Sequence, residues 1–317
     1  MQLRFTNILR LKLKQACRLN PDLGRFVSTI YDRTFKPQKE QVRAVAERLR
    51  SLSQVQETDF KSDVVEKTRL FLVALSHAML LERQNLLMPP SHPTNEEKLG
   101  QENQGHRSIS LALIHLRTRS RNPDSLGYET YVRGEAAVAA ALVSLIQRCS
   151  PSDDIFVATP HRIQRQVVNE AILSHSTGEE NVVAAMEHLG LGAEIPLAGK
   201  VTVDTVERLQ GMMMHPSLRI DASQQLLTGS EAAFVICLFS LPTTPGASSK
   251  NASFLLERRR LNVAISRAKT MCILITSDSV SRPSVSVLSK EASAKGYLFL
   301  RAFQQMAWST TMEIDLD

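Results

Sequence analysis

Aromatic side chains are scarce in this chain: they make up 5% of its 317 residues and include one tryptophan, Trp308. Apolar residues still amount to 43%, enough at this length for two hydrophobic cores, so collagen, mucin and wholesale disorder are excluded. Cysteine is equally thin. Cys17, Cys149, Cys237 and Cys272 lie far apart with no CxxC pair, which argues against a zinc site or a disulfide framework and suits a reduced intracellular setting, nuclear or cytoplasmic. No apolar run reaches the roughly 18 residues of a membrane span, and Met1-Gln2-Leu3-Arg4 opens no signal peptide, so no membrane partner is expected. Nor is there a nucleophile beside a base, a Ser/His/Asp arrangement or a metal cluster, which leaves a metabolic α/β enzyme little support.

What the chain does carry is a mild basic excess, 38 Lys+Arg against 32 Asp+Glu, which suits a polyanionic partner. The first ninety residues read as helical. Lys39 to Leu52 places Val42, Val45, Ala46 and Leu49 on one face, and Glu66 to Gln84 carries a longer apolar stripe. Between Met88 and Arg107 the sequence turns polar, with Pro89, Pro90 and Pro93 blocking helix, so residues 1–107 read as a helical region plus linker. Residues 108–317 then alternate short apolar runs with amphipathic helices, the pattern of a parallel sheet with crossover helices. Strands are expected at Ile109–Leu116, Asp154–Ala158, Lys200–Asp204, Ala232–Leu241 and Thr270–Thr276. Helices are expected at Gly134–Cys149, Arg162–His175 and Phe254–Lys269, with a polar stretch over 176–199. Gly296–Trp308 reads as a C-terminal helix that Trp308 packs.

The most informative segment is Phe254–Lys269, FLLERRRLNVAISRAK. At helical spacing Arg260 and Arg267 project from the same side, as phosphoryl transfer requires of guanidinium groups that meet charge developing on phosphate oxygens. This segment resembles motif VI of superfamily 1 helicases, in the group that holds the nonsense-mediated-decay RNA helicases and the DNA replication helicase/nuclease. The resemblance implies a γ-phosphate contact for Arg267 and a nucleotide-side position for Arg260.

Upstream, Val201–Gly211 (VTVDTVERLQG) is similar to motif V. On a strand, Thr202 and Asp204 face one side and Val201 and Val203 the other. By resemblance Gln210, Gly211 and Glu231 lie near the nucleotide. Residues 212–229 interrupt that motif and read as an insertion, plausible as a retained in-frame intron. Asp154–Gln164 (DIFVATPHRIQ) resembles the family's strand followed by Thr-Pro-Tyr-x-x-Gln, implying nucleic-acid contacts for Thr159, Pro160, His161 and Gln164, and likewise for Thr202 and Asp204 on motif V. Thr159 is placed to cap a helix with Pro160 as its first residue; such a start either stands alone or offers its amides to a phosphate. Gln15–Tyr31 is similar to motif IV, which makes Arg18 a second γ-phosphate contact.

A helicase motor also needs a GxxxxGK[ST] loop and an acidic pair for Mg²⁺, and the sequence has neither. The resemblance therefore implies a RecA-like second motor domain with an N-terminal helical arm. ATP and Mg²⁺ would be held mainly by a first RecA-like domain, missing here or carried by a helicase subunit, and the track would take single-stranded DNA or RNA. The alternative is a non-catalytic nucleic-acid-binding or regulatory module that pairs with such a subunit.

Overall fold

The computed structural model describes residues 15–16, 21–28, 36–37, 44–55, 62–87, 108–121, 127–188, 199–207, 231–242 and 249–316. The 88–107 linker and the 212–229 insertion lie outside them.

Eight strands and ten α-helices are present among these residues. A short parallel pair joins β1 (Gln15–Ala16) and β2 (Lys36–Pro37). Six strands make the main sheet: β3 (Ser108–Arg119), β4 (Ile155–Thr159), β5 (Val201–Thr205), β6 (Ala232–Phe239), β7 (Ala268–Thr276) and β8 (Ala307–Asp315). They pair in the order β5-β4-β6-β7-β3-β8, and every pairing is parallel. The fold is α/β, a parallel sheet flanked by helices, in keeping with the RecA-like class expected.

The sequence explains why both faces are covered. Along β7, Met271, Ile273 and Ile275 enter one core while Cys272 and Leu274 enter the other; β6 alternates in the same way from Phe234 to Phe239. Strands apolar on both sides need a helix layer on each. One layer consists of α2 (Ala44–Arg50), α3 (Asp63–Leu87), α4 (Tyr128–Cys149) and α5 (Arg162–His188). The other consists of α1 (Pro21–Ser28), α6 (Ser249–Leu255), α7 (Arg258–Ile265), α8 (Asp278–Ser281), α9 (Val285–Leu288) and α10 (Glu291–Met306). Here the few aromatics are spent: Phe26 stacks on Phe299 at 4.6 Å and meets Phe303 edge-on at 5.3 Å.

The N-terminal helices join both layers. Arg48 of α2 donates to Ser150 Oγ at 2.5 Å and pairs with Asp153 at 2.9 Å, holding α2 against the turn between α4 and β4. No helix among the described residues is long and apolar enough to cross a membrane.

Several expectations change; α5, for one, runs on to His188, past the His175 end expected. The C-terminal helix stops at Met306, and Trp308 stands on an edge strand, β8, where its ring tilts against Phe71 of α3 at 5.6 Å. The helix expected over 254–269 is broken at Leu256–Glu257, and α7 ends at Ile265.

Cys237 and Cys272 sit on β6 and β7 with their sulfurs 4.0 Å apart, both fully buried, and burial pushes the Cys272 thiol well up. Half-buried Cys149 is pushed up to about 11, also by burial. Iodoacetamide should therefore leave Cys237 and Cys272 unmodified in the native chain and label them on unfolding. Peptide mass spectrometry checks this, and labelling of either at native conditions sinks it.

Candidate functional site

The chain leaves β4 toward the β5 edge over one face of the sheet and leaves β6 toward β7 over the other. β4 and β6 are neighbours, so their carboxyl ends flank a topological switch point, where open α/β sheets hold ligands.

The turn after β4 builds one wall. Pairing of Thr159 with Thr205 keeps the last residue of β4 extended, and its hydroxyl donates to the Asp204 carbonyl at 3.3 Å. The cap therefore falls two residues later than expected: α5 starts at Arg162, and the His161 carbonyl accepts from Arg165 N–H at 3.1 Å. Thr159 and Pro160 are buried, and Gln164 is 1% exposed with its amide spent on Glu135 of α4 at 2.7 Å. These three shape the edge from beneath. Asp204 is buried too; one oxygen accepts from Thr205 N–H at 2.8 Å and pairs with Arg165 at 3.3 Å. Thr202 is half-buried on the face opposite Val201 and Val203, which pack against the α5 side as expected.

His161 and Arg260 meet here, although they are far apart in sequence. The imidazole stacks on Phe254 of α6 with centroids 4.9 Å apart and planes at 27°, and the Arg260 guanidinium lies 3.7 Å from the same ring centroid. Arg260 also donates to the Phe254 carbonyl at 3.2 Å, pairs with Glu207 at 3.2 Å, and pairs with Glu257. Burial lowers the His161 pKa; Glu207 raises it and Arg260 lowers it further. Around this stack Arg162, Ile163, Arg258 and Arg259 are exposed, Ile163 to 61%.

Arg267 is elsewhere. It follows the end of α7, so the helical-spacing argument that put it on the same side as Arg260 fails, and its carbonyl accepts from Ala232 N–H at 3.2 Å. That hydrogen bond places Arg267 at the amino edge of the sheet, opposite the His161 stack, with its side chain largely buried. Glu231 lies beside it, just before β6, with Lys269 4.0 Å away. Arg18, Gln210 and Gly211 lie outside the described residues.

The amino edge thus holds Arg267 and Lys269 beside Glu231. Asp153 and Asp154 stand at the same edge, just before β4, with Asp153 paired to Arg48 and Asp154 accepting from Lys200 N–H at 2.8 Å, and among the described residues no three His, Cys, Asp or Glu side chains gather as a metal site.

Sequence reasoning passed over Glu135, Ser240 and Phe254. Glu135 had a signal: it is the lone carboxylate in the apolar run GEAAVAAALVSLI. Burial pushes its carboxyl up to about 7, against the pull of hydrogen bonds from Ser240 and Gln164. Phe254, two residues before the helix break, had none. No family model matches the chain, and none of the curated proteins matches it significantly.

Proposed function

We propose that the chain is the second RecA-like motor domain of an ATP-dependent superfamily 1 DNA or RNA helicase. It would supply an arginine to ATP held by a partner domain and carry half of a single-strand track. The observation that carries this reading is the separation of the motif-like residues onto two edges. Glu231 and Arg267 adjoin at the amino ends of β6 and β7, while His161 and Arg260 adjoin at the carboxyl side of β4. One edge can then face a nucleotide while the other faces a strand, as stepping on nucleic acid requires.

On the strand side, Arg162, Arg258 and Arg259 supply exposed charge and the His161–Phe254 stack supplies a flat apolar surface. On the nucleotide side, Arg267 would meet the γ-phosphate, and the β-phosphate and Mg²⁺ would be held by a domain with a GxxxxGK[ST] loop. The absence of that loop from the sequence favours, as a second reading, a non-catalytic module that binds nucleic acid and regulates a helicase subunit.

Fluorescence anisotropy with labelled single-stranded 20-mers of DNA and RNA tests the shared core of both. Binding should weaken with salt and show little dependence on base sequence. Reversing Arg258 and Arg259 to Glu should cost about tenfold at low salt, since each lost phosphate contact removes roughly 0.7 from the slope of log affinity against log salt. Affinity that ignores salt, or no binding at all, overturns the reading. ATP turnover should be absent from the purified chain with or without nucleic acid. Stimulated turnover abolished by Arg267→Ala would show instead that the chain holds a whole ATP site.

A further inference from the structure

Beneath the β4–β6 crevice runs a buried chain of hydrogen bonds for which the strand-binding reading has no use. Glu135 of α4 is fully buried. One carboxyl oxygen accepts from Gln164 Nε2 at 2.7 Å and the other accepts from the Ser240 hydroxyl. The next residue, Leu241, donates its N–H to Ser277 Oγ at 2.9 Å, and its carbonyl accepts from that hydroxyl at 2.7 Å. A single carboxyl group thus ties the first turn of α5 to the end of β6, and Ser277 extends the tie to the end of β7. The partners of Glu135 in this tie are a carboxamide and a hydroxyl, not a cation. The carbonyl oxygen of Gln164, also buried, has no hydrogen-bond partner, so a rotated Gln164 amide would accept a proton carried by Glu135.

We propose that Glu135 is a positioning residue that makes ligand binding at the β4–β6 crevice proton-linked. Its carboxyl oxygens latch the start of α5 to the end of β6; the burial cost of its charge, which the two donors only partly offset, favours opening of the latch once it ionises, and that charge repels an anion held above. The identity of the ligand rests on the strand-binding reading, and the latch rests on the hydrogen bonds alone. The physical cause is burial, which disfavours the carboxylate and brings its titration near neutrality. Any local opening that wets Glu135 returns its ordinary acidity, so rising pH favours opening. A phosphate near the start of α5 acts in the same direction, because its charge penalises a buried carboxylate.

The titratable groups that bear on Glu135 are Tyr128 and Tyr131, both on α4. Burial and Glu135 itself hold both phenols above their usual range, so they stay neutral. From α5, β6 and β7 the facing groups are Gln164, Ser240 and Ser277, which do not titrate. His161 on the crevice titrates below its ordinary value, and comparing variants at equal pH cancels it.

Two measurements test this on the full chain. Amide hydrogen exchange over residues 159–168, corrected for intrinsic rates, should show protection falling by about tenfold or more with pH through neutrality in the native chain. Glu135→Gln, which keeps an acceptor but cannot ionise, should remove that inflection. Ser240→Ala, which removes one donor to the carboxylate, should move it to higher pH. A labelled single-stranded 20-mer should then bind E135Q and the native chain alike below the inflection, and bind E135Q about tenfold tighter above it. Identical exchange profiles in the native chain and E135Q overturn the latch. An exchange difference with no 20-mer binding at any pH leaves the latch standing and sinks the strand-binding reading.

Discussion

Replacing Glu135 with Gln should make the chain progressively more stable than the native one as pH rises, the advantage growing by about 2 to 3 kcal/mol between about pH 5 and about pH 8. The sign follows from the direction of the shift. Burial lifts the folded-state pKa of Glu135 from 4.5 to about 7, so between those values the folded chain binds a proton that the unfolded chain has lost. The stabilisation is complete below the unfolded value and is lost as pH rises through the folded one. E135Q carries no such group, so the difference between the two stability curves isolates it. The native curve alone does not, because burial depresses the pKa values of His115 and His161 and thus adds stability as pH rises through the same window. Urea unfolding of both chains across that range measures the difference. Parallel curves would mean that Glu135 is already ionised or already wet in the folded chain. The gain should come without change in the urea m-value, since the substitution alters one charge and no buried area.

Glu135 also shows how much of the site was legible in the sequence. An isolated carboxylate within an alanine-rich apolar run is costly unless paired, so its presence pointed to a polar partner. The partners, Gln164 and Ser240, sit on other elements and are joined only by the parallel pairing of β4 with β6. The strands were legible for a related reason: both faces of the sheet are covered, so β4, β6 and β7 appear as unbroken apolar runs that periodicity finds easily. β8 escaped because it is an edge strand whose burial alternates irregularly through Ser-Thr-Thr, and the apolar stripe of α10 runs up to it without a break signal. α5 outruns its expected end at His175 because the polar stretch that follows lacks a breaker other than Gly178, and the helix continues through it to His188.

The spacing of the arginines misleads for a physical reason. A spacing of seven residues puts two side chains on one side only if the helix is continuous across both, and α7 ends at Ile265, short of Arg267. Ser266 keeps helical dihedrals, but the chain then enters β7, whose run TMCILIT is better spent between β6 and β3. Arg260 and Arg267 are thereby delivered to opposite edges of the sheet. Arg260, expected on the nucleotide side with Arg267, thus stands beside His161 at the carboxyl edge, while Arg267 adjoins Glu231 at the amino edge.

Gly296→Ala should destabilise the chain by about 2 to 4 kcal/mol, even though alanine is the better helix former by about 1 kcal/mol. Gly296 lies in the middle of α10, where a side chain would ordinarily help. A Cβ there would meet the carbonyl oxygen of Leu256 at 1.6 Å and its carbonyl carbon at 2.4 Å, with Arg258 N at 3.2 Å. These atoms are backbone, so no side chain can rotate away; either α10 retreats or the connection between α6 and α7 moves. That connection carries Phe254 on one side and Arg260 on the other, so the same substitution should loosen the His161–Phe254–Arg260 stack and weaken single-strand binding several-fold beyond what the unfolded fraction accounts for. Gly127→Ala is the control: a Cβ at Gly127 meets nothing within 4 Å, and the cost should stay within about 0.5 kcal/mol. Urea midpoints for the two variants, with 20-mer affinity measured where both remain folded, separate the outcomes. Equal midpoints for Gly296→Ala and Gly127→Ala would mean that α10 does not press on the Leu256 backbone as closely as the structure has it, and the stack would then have to be held by Glu207 and Glu257 alone.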